Sequence, residues 1–173
     1  MKLPIDCLID TNGFVRLVEK HHFQDFTIAH KLLDMAANGH VNLYRAEITD
    51  KELDDYIISN IKRAPLISHE EKARKIQIIN KARRLSNAIK PDQKIIEVKD
   101  KLLSNGLKDP TDAEIVATAA VKGMIFFSFD YTTIKHVEIW GGIEDTLSEF
   151  NLSLENIRNQ KFLEDVVKQS KKH

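Results

Sequence analysis

The sequence predicts an α/β fold: a three-layer α/β/α sandwich around a central parallel sheet of four to five strands. Three observations predict it. Short apolar runs alternate with longer segments of helical period. The runs are almost continuously apolar, as strands covered on both faces are. Two of them end on a carboxylate, Asp10 and Asp130, and in open α/β sheets the C-terminal strand ends form the rim where ligands bind.

Leu3–Ile9 reads as the first strand. Thr11 or Asn12 can cap a helix running to about Glu19, with Phe14, Val15, Leu17 and Val18 as its apolar face. Residues 23–26 read as a turn. Thr27–Ala37 reads as the second helix, closed by Asn38-Gly39. Val41–Tyr44 alternates and reads as the second strand. Ala46–Ile61 follows as a helix, with Thr49 and Glu52 at capping-box spacing. Pro65 breaks the chain. Ser68 with Glu71 repeats that spacing and opens a long helix to about Ala88. Lys94–Val98 is the expected third strand, with a helical turn over 100–105. Ala113–Val121 is a compact apolar helix, Met124–Phe129 the fourth strand and Val137–Trp140 the fifth, after a turn of helix at 132–135. Helical segments at 147–150 and 154–167 precede a basic tail, 168–173.

The 173 residues suit one domain with a sizeable core. With 42% hydrophobic and 30% charged residues, the composition is that of an ordinary globular protein, slightly charge-rich. No apolar run is long enough to span a bilayer, and the first residues lack a signal-peptide core, so a cytoplasmic location without membrane contact is the expectation. The lone Cys7 excludes an intrachain disulfide and reads as a core residue. The net charge is zero but uneven: residues 62–101 hold 12 Lys/Arg against 5 acids, or +7. A basic middle between acidic flanks points to a polyanion partner or, equally, to a solvated helix face.

Four acids fall at strand ends or helix starts, all on one edge of such a sheet: Asp10, Glu52, Asp112 and Asp130. Each alone is explained as a helix cap or macrodipole partner. Two acids ending two separate apolar strands are harder to dismiss, because a buried strand end gains nothing from an unpaired charge. Converging carboxylates repel unless a cation joins them. Hard ions such as Mg²⁺ or Mn²⁺ take oxygen ligands and suit an all-carboxylate site. The seven histidines are scattered, and His21-His22 alone is not ligand spacing, so zinc is not expected.

These residues resemble the motifs of the PIN-domain family. Ile9-Asp10-Thr11-Asn12 resembles the family's opening motif, and Glu52-Leu53 its Glu-Leu pair. The segment from Asp112 to Ala119 is similar to its Asp-x-x-Ile-x-Ala-x-Ala helix, and Phe127-Ser128-Phe129-Asp130 to its strand ending in Thr/Ser-x-Asp. The match spans residues 3 to about 140, in order. The resemblance implies strand order 3-2-1-4-5 and a metal-dependent ribonuclease with Mg²⁺ or Mn²⁺ held by Asp10, Glu52, Asp112 and Asp130. It implies a hydroxyl near the metal at Ser128, a supporting shell at Thr11 and Asn12, and an auxiliary acid at Asp109. Glu47 competes with Glu52 but lacks the following Leu. Residues 1–150 would form the nuclease domain, including a basic helical insertion at about 66–90; residues 151–173 would be a helical extension and tail.

On this reading the substrate is RNA, contacted at its phosphates by Lys72, Arg74, Lys75, Lys81, Arg83 and Arg84. An antitoxin protein and a second copy of the chain are the other expected partners, with Trp140, Phe150 and Phe162 either at an interface or in the core. The reading from another class is a non-catalytic RNA- or protein-binding module on the same fold. A phosphatase of the Asp-x-Asp type is disfavoured because Asn12, not Asp, stands two residues after Asp10.

Overall fold

In a computed structural model, which describes residues 4–130, 137–155, 163–165 and 168, a four-stranded sheet carries the site. The strands are β1 (Ile5–Ile9), β2 (Val41–Ala46), β3 (Ser86–Ile89) and β4 (Ile125–Phe127), in spatial order β3-β2-β1-β4 and all parallel. The helices are α1 (Thr11–Arg16), α2 (Phe23–Ala37), α3 (Glu47–Tyr56), α4 (His69–Leu85), α5 (Gln93–Ser104), α6 (Pro110–Val121) and α7 (Val137–Ser148).

Successive side chains of a strand point to opposite faces, and this divides the core in two. Ile5, Cys7 and Ile9 of β1, with Val41, Leu43 and Phe127, pack on buried residues of α1, α2, α3 and α4. Leu8, Ala46 and Phe126 pack on α5, α6 and α7. The result is the expected three-layer sandwich. Cys7 is fully buried, as a core residue, and burial pushes its thiol pKa up. The outer edge of β4 is also covered, since the Phe126 N–H donates to the Glu155 carbonyl at 2.8 Å. Among the described residues no helix is long and apolar enough to cross a membrane.

Several elements differ from the sequence reading. Residues 94–98 are not a strand but the start of α5. Asp92 caps that helix by accepting from the Ile95 N–H at 2.9 Å, and Ile95, Val98 and Leu102 are buried at helical spacing. The third strand is Ser86–Ile89, at the expected end of the preceding helix. These four residues have modest strand propensity. They pair with β2, and the Arg45 guanidinium reaches the Arg83 carbonyl, the Ser86 carbonyl and the Ser86 hydroxyl, holding the turn from helix to strand. Residues 137–140 are likewise not a fifth strand but the first turn of α7. Ile143 and Leu147 continue a buried helical stripe through Gly141-Gly142, which reads locally as a strand end.

Smaller shifts follow the same logic. α2 begins at Phe23 rather than Thr27. The third helix ends at Tyr56 and continues over Ile57–Lys62 in π-helical form, which keeps Ile57 and Ile61 buried. Ser68 caps α4 as expected, accepting from the Glu71 N–H at 3.1 Å. Trp140 and Phe150 pack against the second core cluster. The expected turn at 132–135, Phe162 and most of the expected C-terminal helix and tail lie outside the described residues.

Candidate active site: a carboxylate rim

Asp10 follows β1 and is only 4% exposed. It, not Thr11 or Asn12, is the N-cap of α1. Both of its oxygens are held. Oδ1 accepts from the Thr11 N–H and Oδ2 from the Ser128 hydroxyl, each at 2.7 Å. Ser128 in turn accepts from the Asp130 N–H at 3.1 Å. Asn12 fastens the same turn, its Oδ1 accepting from the Phe129 N–H at 2.9 Å. The Asp10 N–H donates to the Phe127 carbonyl at 2.9 Å, so the ends of β1 and β4 are joined through main chain as well.

This closeness requires a glycine. A Cβ on Gly13 would lie 2.6 Å from Ile9 Cγ1 and 3.2 Å from Phe127 Cδ1. A larger residue there would force Ile9, Phe127 or α1 to shift from the packing beside which Asp10 and Asn12 meet Ser128.

Glu52 reaches the rim from α3 and Asp112 from the first turn of α6. Thr49, expected as a cap, instead lies inside α3. Its hydroxyl is fully buried and stands 3.5 Å from that of Thr11, while Ala46 takes the N-cap position. Asp109 caps α6, accepting from the Thr111 N–H at 2.8 Å. Glu47 is exposed.

The electrostatics show which acids face one another. Glu52 is pushed up to about 7, first by burial and next by the Asp10 charge; the Thr11 hydroxyl pulls it partly back. Asp112 is also pushed up to about 7, first by burial and then by Asp10, Asp109, Asp130 and Glu52. Asp112 therefore senses the other four acids named from the sequence. Glu52 Oε1 is buried and has no hydrogen-bond partner among the described residues.

These are features that a hard cation fits: an all-oxygen donor set, raised carboxylate pKa values and an orphaned buried oxygen. The rim is open rather than closed. Among the described residues, the three ligating groups with donor atoms all within 4.8 Å of one another are Glu19, His21 and His22, not the rim acids. Mg²⁺ keeps several waters and needs only one or two direct carboxylates, so an open rim suits it.

The basic helix divides into engaged and available cations. Arg83 Nη2 pairs with Asp54 Oδ1 at 2.7 Å, Arg74 Nη2 with Glu71 Oε1 at 2.8 Å, and Lys72 Nζ donates to the Lys62 carbonyl at 2.9 Å. Lys75, Lys81 and Arg84 form no ion pair with the described residues, and Lys81 and Arg84 are exposed.

Solved structures share this architecture. One is VapBC2 from Rickettsia felis bound to a fragment of promoter DNA, 18% identical, covering 88% of this chain and 98% of that one with a TM-score of 0.54. FitAcB from Neisseria gonorrhoeae is 15% identical over 88% of this chain and 96% of its own, with a TM-score of 0.56. A toxin–antitoxin complex from Klebsiella pneumoniae is 18% identical over 77% and 93%, with a TM-score of 0.51. The fold is that of the PIN domains. No protein-family model and no curated sequence relative matches the chain. The PIN-like order 3-2-1-4 agrees with the first four positions expected from sequence.

Proposed function

We propose that the chain is a metal-dependent endoribonuclease and acts as the toxin of a toxin–antitoxin pair. The observation that carries the nuclease reading is the gathering of acids at the rim, where burial and neighbouring carboxylates raise Glu52 and Asp112 to about 7. Asp10, Glu52, Asp112 and Asp130 would hold Mg²⁺ or Mn²⁺, with Asp109 as auxiliary. The bound ion supplies an acidified water and charge stabilisation for in-line displacement at phosphorus. The protein's own part is positional. Thr11 and Ser128 fix both oxygens of Asp10, and Asn12 fixes the 128–130 turn against α1.

RNA enters as the substrate through phosphate contacts, for which Lys75, Lys81 and Arg84 are the available cations of α4. Lys72, Arg74 and Arg83 contribute less, being occupied within the fold. The partner reading draws on the complexes of similar fold, which include a toxin–antitoxin complex and VapBC2 on promoter DNA. An antitoxin protein is then the natural partner.

The test is cleavage of varied RNAs with Mn²⁺ or Mg²⁺, wild type against Asp10→Asn. Cleavage by the wild type and a loss of about 100-fold or more in the variant are expected. Equal cleavage by both, or none by either, overturns the nuclease reading. Salt-sensitive RNA binding indifferent to EDTA would then mark a binding module.

A further inference from the structure

Outside the rim, one cluster assembles donors of a different chemistry. His21 and His22 lie between α1 and α2, 72% and 42% exposed at their side chains, with ring centroids 4.2 Å apart. Both Nε2 atoms face one carboxylate oxygen. Glu19 Oε2 is 4.0 Å from His21 Nε2 and 3.7 Å from His22 Nε2. In a tetrahedral zinc site with ligands at about 2.0–2.1 Å, neighbouring donor atoms lie roughly 3.4 Å apart. The two edges to Glu19 are wider than that, and all three donor atoms lie within 4.8 Å of one another, so rotation of the two exposed rings is needed to close the triad on an ion.

The carboxylate is already oriented. Tyr56 OH donates to Glu19 Oε1 at 3.2 Å, and Arg16 Nη1 donates to Oε2 at 2.6 Å. Arg16 is balanced from its other side by Asp25 Oδ2, 3.1 Å from its Nε. Arg16 thus bridges two carboxylates, Glu19 and Asp25. Hydrogen-bonded support of a ligating carboxylate is the usual arrangement around bound metals. The His22 ring is not engaged in capping, because the residue occupies the N-cap position of α2 without a side-chain cap bond. A cavity of about 270 Å³ lined by His22, Phe23, Gln24 and Asp25 adjoins it.

We propose that Glu19, His21 and His22 form a transition-metal site of the zinc class, separate from the carboxylate rim, with a coordination position left open to solvent. Two imidazoles and one carboxylate favour Zn²⁺, Ni²⁺ or Cu²⁺ over Mg²⁺ and Mn²⁺, whereas the all-oxygen rim lacks the nitrogen donors that strengthen this preference. The two sites therefore differ in donor type. A metal here ties the loop after α1 to the start of α2 and, through Tyr56, to the end of α3.

The test is calorimetric titration of tag-free protein with Zn²⁺, with Co²⁺ absorption as a spectroscopic reporter. Three proteins are compared: wild type, Asp10→Asn, and the double variant His21→Ala/His22→Ala. Wild type and Asp10→Asn are expected to show the same Co²⁺ absorption and the same Zn²⁺ binding at the histidine site, whatever further binding the rim contributes in the wild type. The double variant should bind at least about tenfold more weakly and lose the cobalt spectrum while keeping the wild-type circular dichroism. No binding by the wild type, a Co²⁺ spectrum and Zn²⁺ binding undiminished in the double variant, or loss of the Co²⁺ spectrum in Asp10→Asn overturns the proposal. If the double variant does not fold, His22→Gln replaces it, with the same expectations for binding and spectrum.

Discussion

The rim and the rest of the protein treat carboxylates in opposite ways. Away from the rim, several acids meet cations. Glu114, the more buried partner of its pair, lies 3.0 Å from Lys99 Nζ. Asp50 and Asp54 meet Arg45 and Arg83. Asp92 sits 2.8 Å from Lys122 Nζ, and that hydrogen bond holds its carboxyl below the usual carboxylate range. At the rim, Glu52 and Asp112 meet other acids and rise to about 7. Two acids of α6, Asp112 and Glu114, stand two residues apart and receive opposite treatment. Burial and like charge at Glu52 and Asp112 lower metal-free stability, a cost that the proposed cation would offset.

The sharpest way to break this comparison is to remove one charge from each side. Asp112→Asn takes a negative charge out of a repulsive group, so the metal-free protein should become more stable at pH 8. Glu114→Gln deprives Lys99 of its partner and should destabilise by about 1–3 kcal/mol. Thermal melts without divalent metal check both. Destabilisation by both variants to the same degree would mean the rim acids are compensated like the others.

How much of this was legible in the sequence follows from the same physics. Asp10 and Asp130 end apolar runs, and their convergence needs only parallel strands that neighbour in space, as β1 and β4 do. Cys7 as core and Ser68 as cap rest on local rules and stand. The third strand was illegible because Ser86–Ile89 is placed by partners far away in sequence: β2 for pairing and Arg45 for the turn. Lys94–Val98 is β-branched and apolar, and only the wider window with Asp92 before it and Leu102 after it shows the helical period. The basic helix 68–88 shows its cations in sequence but not their partners, so the commitment of Arg83 to Asp54 had no local signal. Glu19 stands beside His21-His22 in the sequence, but nothing local shows that its carboxylate turns toward both rings or that Tyr56 of another helix holds it.

The second way to sharpen the comparison is pH. Glu52 and Asp112 have raised pKa values, so between the usual carboxylate range and about 7 the folded state binds more protons than the unfolded one. Stability must then fall as pH rises through that window. Asp92 has the opposite sign: its contribution is present above the usual carboxylate range and lost on acidification. Because both rim acids are partly solvated, their effect is discounted to about 1–2 kcal/mol, a drop of roughly 4 °C in Tm from pH 5.5 to pH 8 without metal. Millimolar Mg²⁺ or Mn²⁺ should restore the loss at pH 8. Melts across that range, with and without the ion, check it; a Tm that rises with pH in metal-free buffer contradicts the assignment.

The smallest effect should come from Ser128→Ala. Its hydroxyl donates to Asp10 Oδ2 at 2.7 Å and accepts from the Asp130 N–H at 3.1 Å, so one atom sets the spacing of two rim acids. Removing it deletes no charge and leaves a methyl in a site that Asn12 still closes through the Phe129 N–H. Folding stability should change by about 1 kcal/mol. Mn²⁺ affinity, measured by calorimetry, should fall by about tenfold, because a carboxylate freed of its supporting hydrogen bond must be ordered by the ion itself. Ser128→Thr, which keeps the hydroxyl, should recover most of the affinity. If alanine and threonine behave alike, the hydroxyl only packs, and the alignment of Asp10 with Asp130 rests on the main-chain bond from the Asp10 N–H to Phe127.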